Sequence, residues 1–290
     1  ENIHASTYGS AIQASLLGIV SHKHVILTVH EVFGKLWFLY KGFWKGLPYL
    51  LFERLLFCFP YDAYHCVSRY TMNSIRLLYG VADSKIHLIY NGVDYNFWNS
   101  SLVSSSAISR WKSTYNPSKK YISLYYGHAG KSKGLDMLIE SIPTVLDQEP
   151  DFLFVFNIID SRRKSLLISR LQYLQKHGYK NNIQLFYGMD KSDLRIMIAS
   201  ADVVVAPSLS EGFGSVHTEV IAMHKPLITS FVASLPEVVS GKVIFVPPSS
   251  SDAITKALIS IKKGQNIFAD TPALHFNWDD TVTQIRRLYH

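Results

Sequence analysis

Cysteine is nearly absent from this 290-residue chain: only Cys58 and Cys66 occur. Two cysteines cannot build a disulfide framework, so a reducing, cytoplasmic setting is expected. Both thiols are expected to be ordinary buried side chains. Charged residues are sparse, at 18%, and no stretch approaches the ~20 apolar residues of a membrane-spanning helix. The opening, "ENIHASTYGS", lacks a basic segment followed by an apolar core, so no signal peptide is expected there. No G-x-G-x-x-G follows any apolar run, which argues against a dinucleotide oxidoreductase. The basic residues are dispersed and no nucleic-acid-binding module is recognisable, so nucleic acid is not expected as a partner. No internal repeat is visible.

What is present is apolar bulk, with 48% hydrophobic and 13% aromatic residues. That describes a globular chain with a large core, and the length suits two lobes. Lys and Arg number 29 against 22 Asp and Glu, a formal charge of +7. This excess suits anionic partners such as phosphorylated small molecules or anionic lipid. Residues 36–61, "LWFLYKGFWKGLPYLLFERLLFCFPY", mix aromatic bulk with Lys41, Lys45, Glu53 and Arg54. Two readings stay open for them, a helix lying at a membrane surface or a pair of core helices.

Short apolar runs alternate with amphipathic stretches, the signature of a parallel sheet wrapped by helices. The runs are "HVILTV", "YISLYY", "FLFVF", "IQLFY", "DVVVA", "PLIT" and "VIFV", with helix-like stretches at 134–147, 161–177, 190–200 and 215–224. In the last, Val216, Val220 and Met223 mark a buried face. The expected division is a first lobe over 1–100, a serine-rich linker over 101–117, a second, doubly wound α/β lobe with six strands over 118–275, and a last helix over 276–290. That helix should be capped by Asn277 and bury Trp278, Val282 and Ile285. In doubly wound sheets ligands sit beyond the carboxyl ends of the strands. Gly127 and His128, Asn157, Gly188 and Met189, and Ser208 to Gly214 occupy those positions.

Within "SLSEGFGSVHTEVIAMHKP" two glutamates stand eight positions apart around Gly-Phe-Gly. Gly212 and Gly214 allow a sharp bend and a close approach of backbone N–H groups to a ligand. The helix that follows begins with free N–H groups and a positive dipole end, which favours a phosphate. Helical side chains lean toward the N-terminus, so Glu219 can reach a group beside that phosphate. A carboxylate there suits a pair of hydroxyls, such as a ribose diol. Glu211, before the bend, would face a polyhydroxylated group on the other side. The arrangement asks for a nucleotide sugar.

This stretch resembles the E-x7-E motif of retaining, family 4-like glycosyltransferases of the GT-B fold. "YYGHAGKSKGLDMLIESIP", "YNGVDYNFW", "ASADVVVAPS", "LPEVVSGKVIFVPP" and "FNWDDTVTQIRRLY" resemble other segments of that family. The resemblance covers about residue 80 to the end and is looser before that. It implies a GT-B fold of two Rossmann-like lobes facing a cleft, a UDP- or GDP-sugar donor, and no cofactor or bound metal. Transfer to a glycan or lipid-linked glycan, as in polysaccharide biosynthesis, is the expected reaction, and the aromatic, basic segment 36–61 suggests a lipid-linked acceptor and peripheral contact at the inner membrane face. Glu219 would bind the donor ribose and Glu211 the transferred sugar. Phe213, Gly214 and Ser215, after Gly212, would hold the diphosphate through their backbone. Lys133 would neutralise the departing diphosphate, with Gly127 and His128 in the same segment. Gly188 and Met189 would contact the base, and His30, ending "HVILTVH", would stand near the reacting sugar.

Two departures follow. His128 stands where the family usually has arginine, and Lys131, Arg162 or Arg163 are candidates to replace that charge. The family's first strand and its glycine-rich turn have no counterpart, which leaves a fragment, a reduced first lobe, or completion by another chain. The alternative function is therefore a non-catalytic relative that binds a nucleotide sugar or a partner. "YYGHAGKS" also imitates a P-loop, with Asp160 as a mimic of its magnesium-binding acid. Tyr125 falls where that loop needs glycine, which makes an NTPase the remote reading.

Overall fold

Residues 1–159, 166–265, 268–269 and 271–289 of a computed structural model are described below. Contacts divide the chain into two units. Unit 1 comprises Glu1–Gly92, Glu211–Phe213 and His275–His290, and unit 2 comprises Val93–Ser210 and Gly214–Leu274.

Unit 1 opens with β1 (Asn2–Ala5), α1 (Tyr8–Ser21), β2 (His24–Val29), α2 (Leu36–Lys41) and α3 (Phe43–Cys58). It continues with β3 (Ala63–Cys66), α4 (Arg69–Tyr79) and β4 (Ile86–Leu88). The strands form a parallel sheet in the order β1-β2-β3-β4. Ala11 and Ala14 of α1, Leu56 and Phe57 of α3 and Ile75 of α4 share one core with Val25, Leu27 and Val29 of β2. A capping box between Ser68 and Thr71 starts α4, and left-handed Gly80 ends it. The two readings of 36–61 divide between the faces of α3. Glu53, Leu56 and Phe57 are buried, whereas Trp44, Leu51 and Leu55 are exposed. The expectation of two buried thiols holds for Cys66, whose pKa burial pushes up to about 12, but Cys58 is exposed.

Unit 2 begins at Val93, and the expected linker 101–117 is largely a helix, α5 (Ser105–Tyr115). Its serines suggest a loop, yet Ser104 caps the helix by accepting from the Ala107 N–H, and Trp111 buries its face. The unit then runs β5 (Tyr121–Gly127), α6 (Leu135–Gln148), β6 (Phe152–Ile158), α7 (Leu166–Lys176) and β7 (Ile183–Tyr187). After these come α8 (Lys191–Ser200), β8 (Val203–Ala206), α9 (Ser215–Ala222), β9 (Leu227–Ser230), α10 (Leu235–Val238), β10 (Val243–Val246) and α11 (Ser251–Lys262). Six parallel strands lie in the order β10-β9-β8-β5-β6-β7. The chain leaves β5 toward β6 and β7, then returns to its other side for β8 to β10. The topological switch point, where such sheets bind ligands, is thus between β5 and β8. Phe152, Phe154 and Phe156 of β6 anchor the core beneath α6 and α11. The first residues of the stretch 161–177, with Arg162 and Arg163, and Asp160 before it, lie outside the described residues.

The closing helix, α12 (Trp278–Arg287), belongs to unit 1, and the Asn277 side chain caps it by accepting from the Asp279 N–H. Its expected inner face is corrected: Trp278 and Val282 are 48% and 42% exposed. Thr281 and Leu288 turn inward instead, with Ile285 against the core that includes Ile26 and Ala63. The Thr281 hydroxyl donates to the Tyr90 carbonyl at 2.8 Å, so the inward turn is fixed by a polar anchor that hydrophobic spacing does not reveal. Among the described residues no helix is long and apolar enough to cross a membrane.

Candidate functional site

Four loops leave the carboxyl ends of the unit 2 strands, and hydrogen bonds tie them together. Gly127 ends β5 in a left-handed conformation (φ +142°). Its carbonyl accepts from the Ile159 N–H at 3.0 Å, and the Ile158 carbonyl accepts from the Gly188 N–H at 3.0 Å. Met189 N–H lies 3.4 Å from the Asn157 side-chain oxygen. Gly188 is itself left-handed (φ +58°) and exposed, so the β7 loop turns sharply and presents backbone.

Lys131 and Lys133 sit in a 3-10 turn closed by left-handed Gly134. That turn is fastened to the loop after β8. Leu209 N–H donates to the Ser132 carbonyl at 2.7 Å. A Cβ on Gly134 would fall 1.9 Å from the Pro207 carbonyl oxygen, so only glycine permits this approach. The segments carrying Gly127, His128 and Lys133 therefore meet the loop over 207–210 at the switch point. His128 is exposed, and its carbonyl accepts from the Tyr125 hydroxyl at 2.8 Å. The buried Tyr125 fills the place where a P-loop turns on glycine, and α6 starts after Gly134, four residues beyond Gly130.

Gly214, left-handed at φ +85°, opens α9, and no side chain caps that end. Ser215 is exposed there. Glu219 lies one turn in. Tyr126, buried at the end of β5, places its hydroxyl 3.1 Å from the Glu219 carboxylate and 3.0 Å from the Val216 carbonyl. Burial raises the Glu219 pKa to about 7, while the Tyr126 hydroxyl and the charge of Lys191 act in the opposite direction. Burial and the Glu219 carboxylate together raise the Tyr126 pKa well above the ordinary value. A carboxyl group held one turn into a helix whose N-terminus no side chain caps, with Lys191 acting on it, can receive an anionic ligand that also carries hydroxyls.

Contacts assign Glu211, Gly212 and Phe213 to unit 1, whereas Gly214–Leu274 belongs to unit 2. Glu211 is 7% exposed. Gly212 packs so closely on the end of β2 that an added Cβ would lie 1.5 Å from the His30 carbonyl oxygen. The Phe213 ring meets Phe276 edge-on at 5.3 Å. His30 is exposed and follows Val29, the last residue of β2. Among the described residues no group of three or more His, Cys, Asp or Glu side chains is placed to hold a metal ion. Sequence reasoning misses Tyr126, Lys191 and Ser132. Strand alternation is the available signal for Tyr126, since it sends that side chain to the face opposite Tyr125.

Known proteins resemble this chain. Residues 109–271 match the family described as Glycosyl transferases group 1, and residues 2–97 match that described as Glycosyltransferase Family 4. The chain is 27% identical over 194 residues to an uncharacterized glycosyltransferase of Methanocaldococcus jannaschii, covering 65% of this chain and 47% of that one. It is 22% identical over 178 residues to the phosphatidylinositol N-acetylglucosaminyltransferase GPI3 subunit of Saccharomyces cerevisiae, covering 59% of this chain and 38% of that one. The chain thus spans about half the length, or less, of these relatives. Anabaena Alr3699/HepE in complex with UDP and glucose superposes with a TM-score of 0.78 at 16% identity, over 98% of this chain and 77% of that one. A glycosyltransferase from Rickettsia africae superposes with a TM-score of 0.75 at 18% identity, over 99% and 75%. These likenesses show the fold, which is GT-B.

Proposed function

The chain belongs to the group 1 glycosyl transferases, and from that premise we propose that it is a retaining enzyme using a UDP- or GDP-sugar donor. In this proposal the acceptor is a glycan or lipid-linked glycan, no bound metal takes part, and contact with the membrane is peripheral. The observation that carries it is the half-buried Glu219 carboxyl at the head of α9, fastened by Tyr126 at the switch point of the unit 2 sheet. Glu219 accepts from the ribose diol, while the uncapped N–H groups at Gly214 and Ser215 take the diphosphate. Gly188 and Met189 border the base, and Gly127 and His128 line the approach. Lys133 stabilises the negative charge that grows on the leaving diphosphate, a task for a preorganised cation. Glu211 and His30 serve the transferred sugar, and the Phe213 backbone, after Gly212, joins Gly214 and Ser215 at the diphosphate.

UDP bound to Anabaena Alr3699/HepE supports the choice of donor class, and the phosphatidylinositol substrate in the name of the yeast relative supports a lipid acceptor. The test is a thermal-shift panel in EDTA with UDP, GDP, ADP, dTDP and the matching nucleotide sugars. At about one hundred times its dissociation constant a ligand adds ~2.7 kcal/mol, which moves Tm by several degrees in a chain of this size. The expected result is a shift with UDP or GDP and its sugars, lost in Glu219→Ala. No shift with any diphosphate overturns the donor site and leaves a non-catalytic relative.

A further inference from the structure

Glu53, which interrupts an apolar helix in the sequence, has no exposed surface at all. A buried carboxylate is costly unless its oxygens are satisfied. Here four donors converge on it. Its Oε1 accepts from the Tyr8 hydroxyl at 2.7 Å and from the Phe33 N–H at 2.9 Å. Its Oε2 accepts from the Gly34 N–H and from the Trp37 indole N–H, both at 2.8 Å. The Tyr8 hydroxyl also lies 2.6 Å from the Glu31 carbonyl. Trp37 stacks on Tyr49, with ring centroids 4.8 Å apart, and Phe33 lies 4.4 Å from Trp37. One side chain of α3 thereby fixes the start of α1, the start of α2 and the loop over 30–34 that leaves the carboxyl end of β2.

That loop is the one on which the E-x7-E bend rests, since Gly212 lies against the His30 carbonyl with no room for a side chain. We propose that Glu53 is a positioning residue of the transfer reaction, holding the 30–34 loop so that His30 and Glu211 keep one fixed relation. The inference rests on the transferase reading and adds to it a residue outside the donor motifs. Glu53 touches no substrate. It acts through the two N–H groups at Phe33 and Gly34, which lack a strand or helix partner in this turn and depend on the carboxylate. Four donors need four acceptor sites, and a carboxylate offers them, whereas an amide turns a donor of its own toward two of them.

The test is Glu53→Gln in the full chain, with three readouts. Amide hydrogen exchange of the peptide spanning 31–37 should accelerate at least about tenfold while unit 2 peptides are unchanged, because the opening is local. The UDP or GDP thermal shift should persist. Turnover of UDP-glucose or GDP-mannose, followed as diphosphate release, should fall about tenfold to a hundredfold with donor KM within twofold, since small misplacement of reacting groups is that costly. Faster exchange with unchanged turnover would make Glu53 a structural brace and overturn its positioning role. Absence of turnover in the unaltered protein would overturn the transferase reading itself, a distinct outcome. Should Glu53→Gln not fold, Trp37→Phe removes one donor and keeps an aromatic ring against Tyr49. It should lower turnover severalfold with donor KM unchanged, and normal turnover would again overturn the proposal.

Discussion

Glu219 sets a pH dependence whose sign can be worked out. Its folded pKa of about 7 lies above the ordinary 4.5, because burial disfavours the charged form. On unfolding the group therefore loses its proton at lower pH than it does in the fold. Its contribution to stability is complete below about pH 4.5, declines as pH rises, and is gone above about pH 7. A tenfold change in proton affinity corresponds to about 1.4 kcal/mol, so the decline amounts to on the order of 3 kcal/mol. Glu219→Gln keeps an acceptor for Tyr126 and cannot ionise. In urea titrations from pH 4 to pH 8 it should flatten that part of the profile and be the more stable form at pH 8. A diol donates to the ionised form, so nucleotide affinity should rise as pH passes about 7. A flat affinity profile would count against the ribose role. Lys133 belongs to the same scale but to another step. Charge on the diphosphate grows in the transition state, so Lys133→Ala should cost more in kcat than in donor affinity. Equal losses in the two would contradict a leaving-group role.

At the scale of elements, the proposed donor side also depends on a close backbone approach between the 3-10 turn and the loop after β8. Gly134 adopts φ +61° directly over the Pro207 carbonyl. Gly134→Ala combines left-handed strain of about 1 kcal/mol with an overlap that backbone must relieve. The expected result is a loss of about 2 kcal/mol or more, read as a fall of several degrees in Tm, together with loss of the nucleotide shift. An unchanged shift would mean that the 3-10 turn and the loop after β8 need not stay fastened.

The same elements show what periodicity carries. Runs such as "HVILTV" and "FLFVF" fall in β2 and β6 because buried parallel strands are continuously apolar. β3, "AYHC", escapes the pattern because His65 breaks the run. Buried, His65 has its pKa lowered to about 4, and it is bonded by Thr28 and the Ile89 carbonyl, partners a strand pattern cannot supply. The loops at the carboxyl ends of the unit 2 strands are legible because glycines mark their turns. Tyr126, Lys191 and Glu53 are not, because each acts on a residue distant in sequence. Glu53 even reads as an exposed charge on an apolar helix, when it is the most enclosed carboxylate described in unit 1.

For the chain as a whole, the question is where its positive charge lies. From Tyr8 to Cys58 there are five Lys and Arg residues and two acids, a difference of +3 within a chain of +7. One of those acids is Glu53, turned entirely inward. Trp44, Pro48, Leu51 and Leu55 of α3 recur at i, i+4, i+7 and i+11, a single helical face, and all are exposed, Trp44 by 83%. Leu17 and Val20 of α1 are exposed as well. Lys41, Lys45 and Arg54 flank the apolar face of α3. Apolar side chains at a water-facing surface, beside bases and without exposed acids on α3, match the chemistry of an anionic bilayer surface. Each base near such a surface contributes about 1 kcal/mol, so reversing two of them should weaken binding at least about tenfold. Lys41→Glu with Lys45→Glu is therefore expected to lose co-sedimentation with phosphatidylglycerol vesicles at low salt. Trp44→Ala should weaken binding at every salt concentration, because its contribution is apolar and unscreened. Both variants alter exposed positions, so Tm and the nucleotide shift should stay as they were. If the unaltered protein leaves such vesicles in the supernatant at low salt, the membrane face is wrong, and a lipid-linked acceptor loses its structural support.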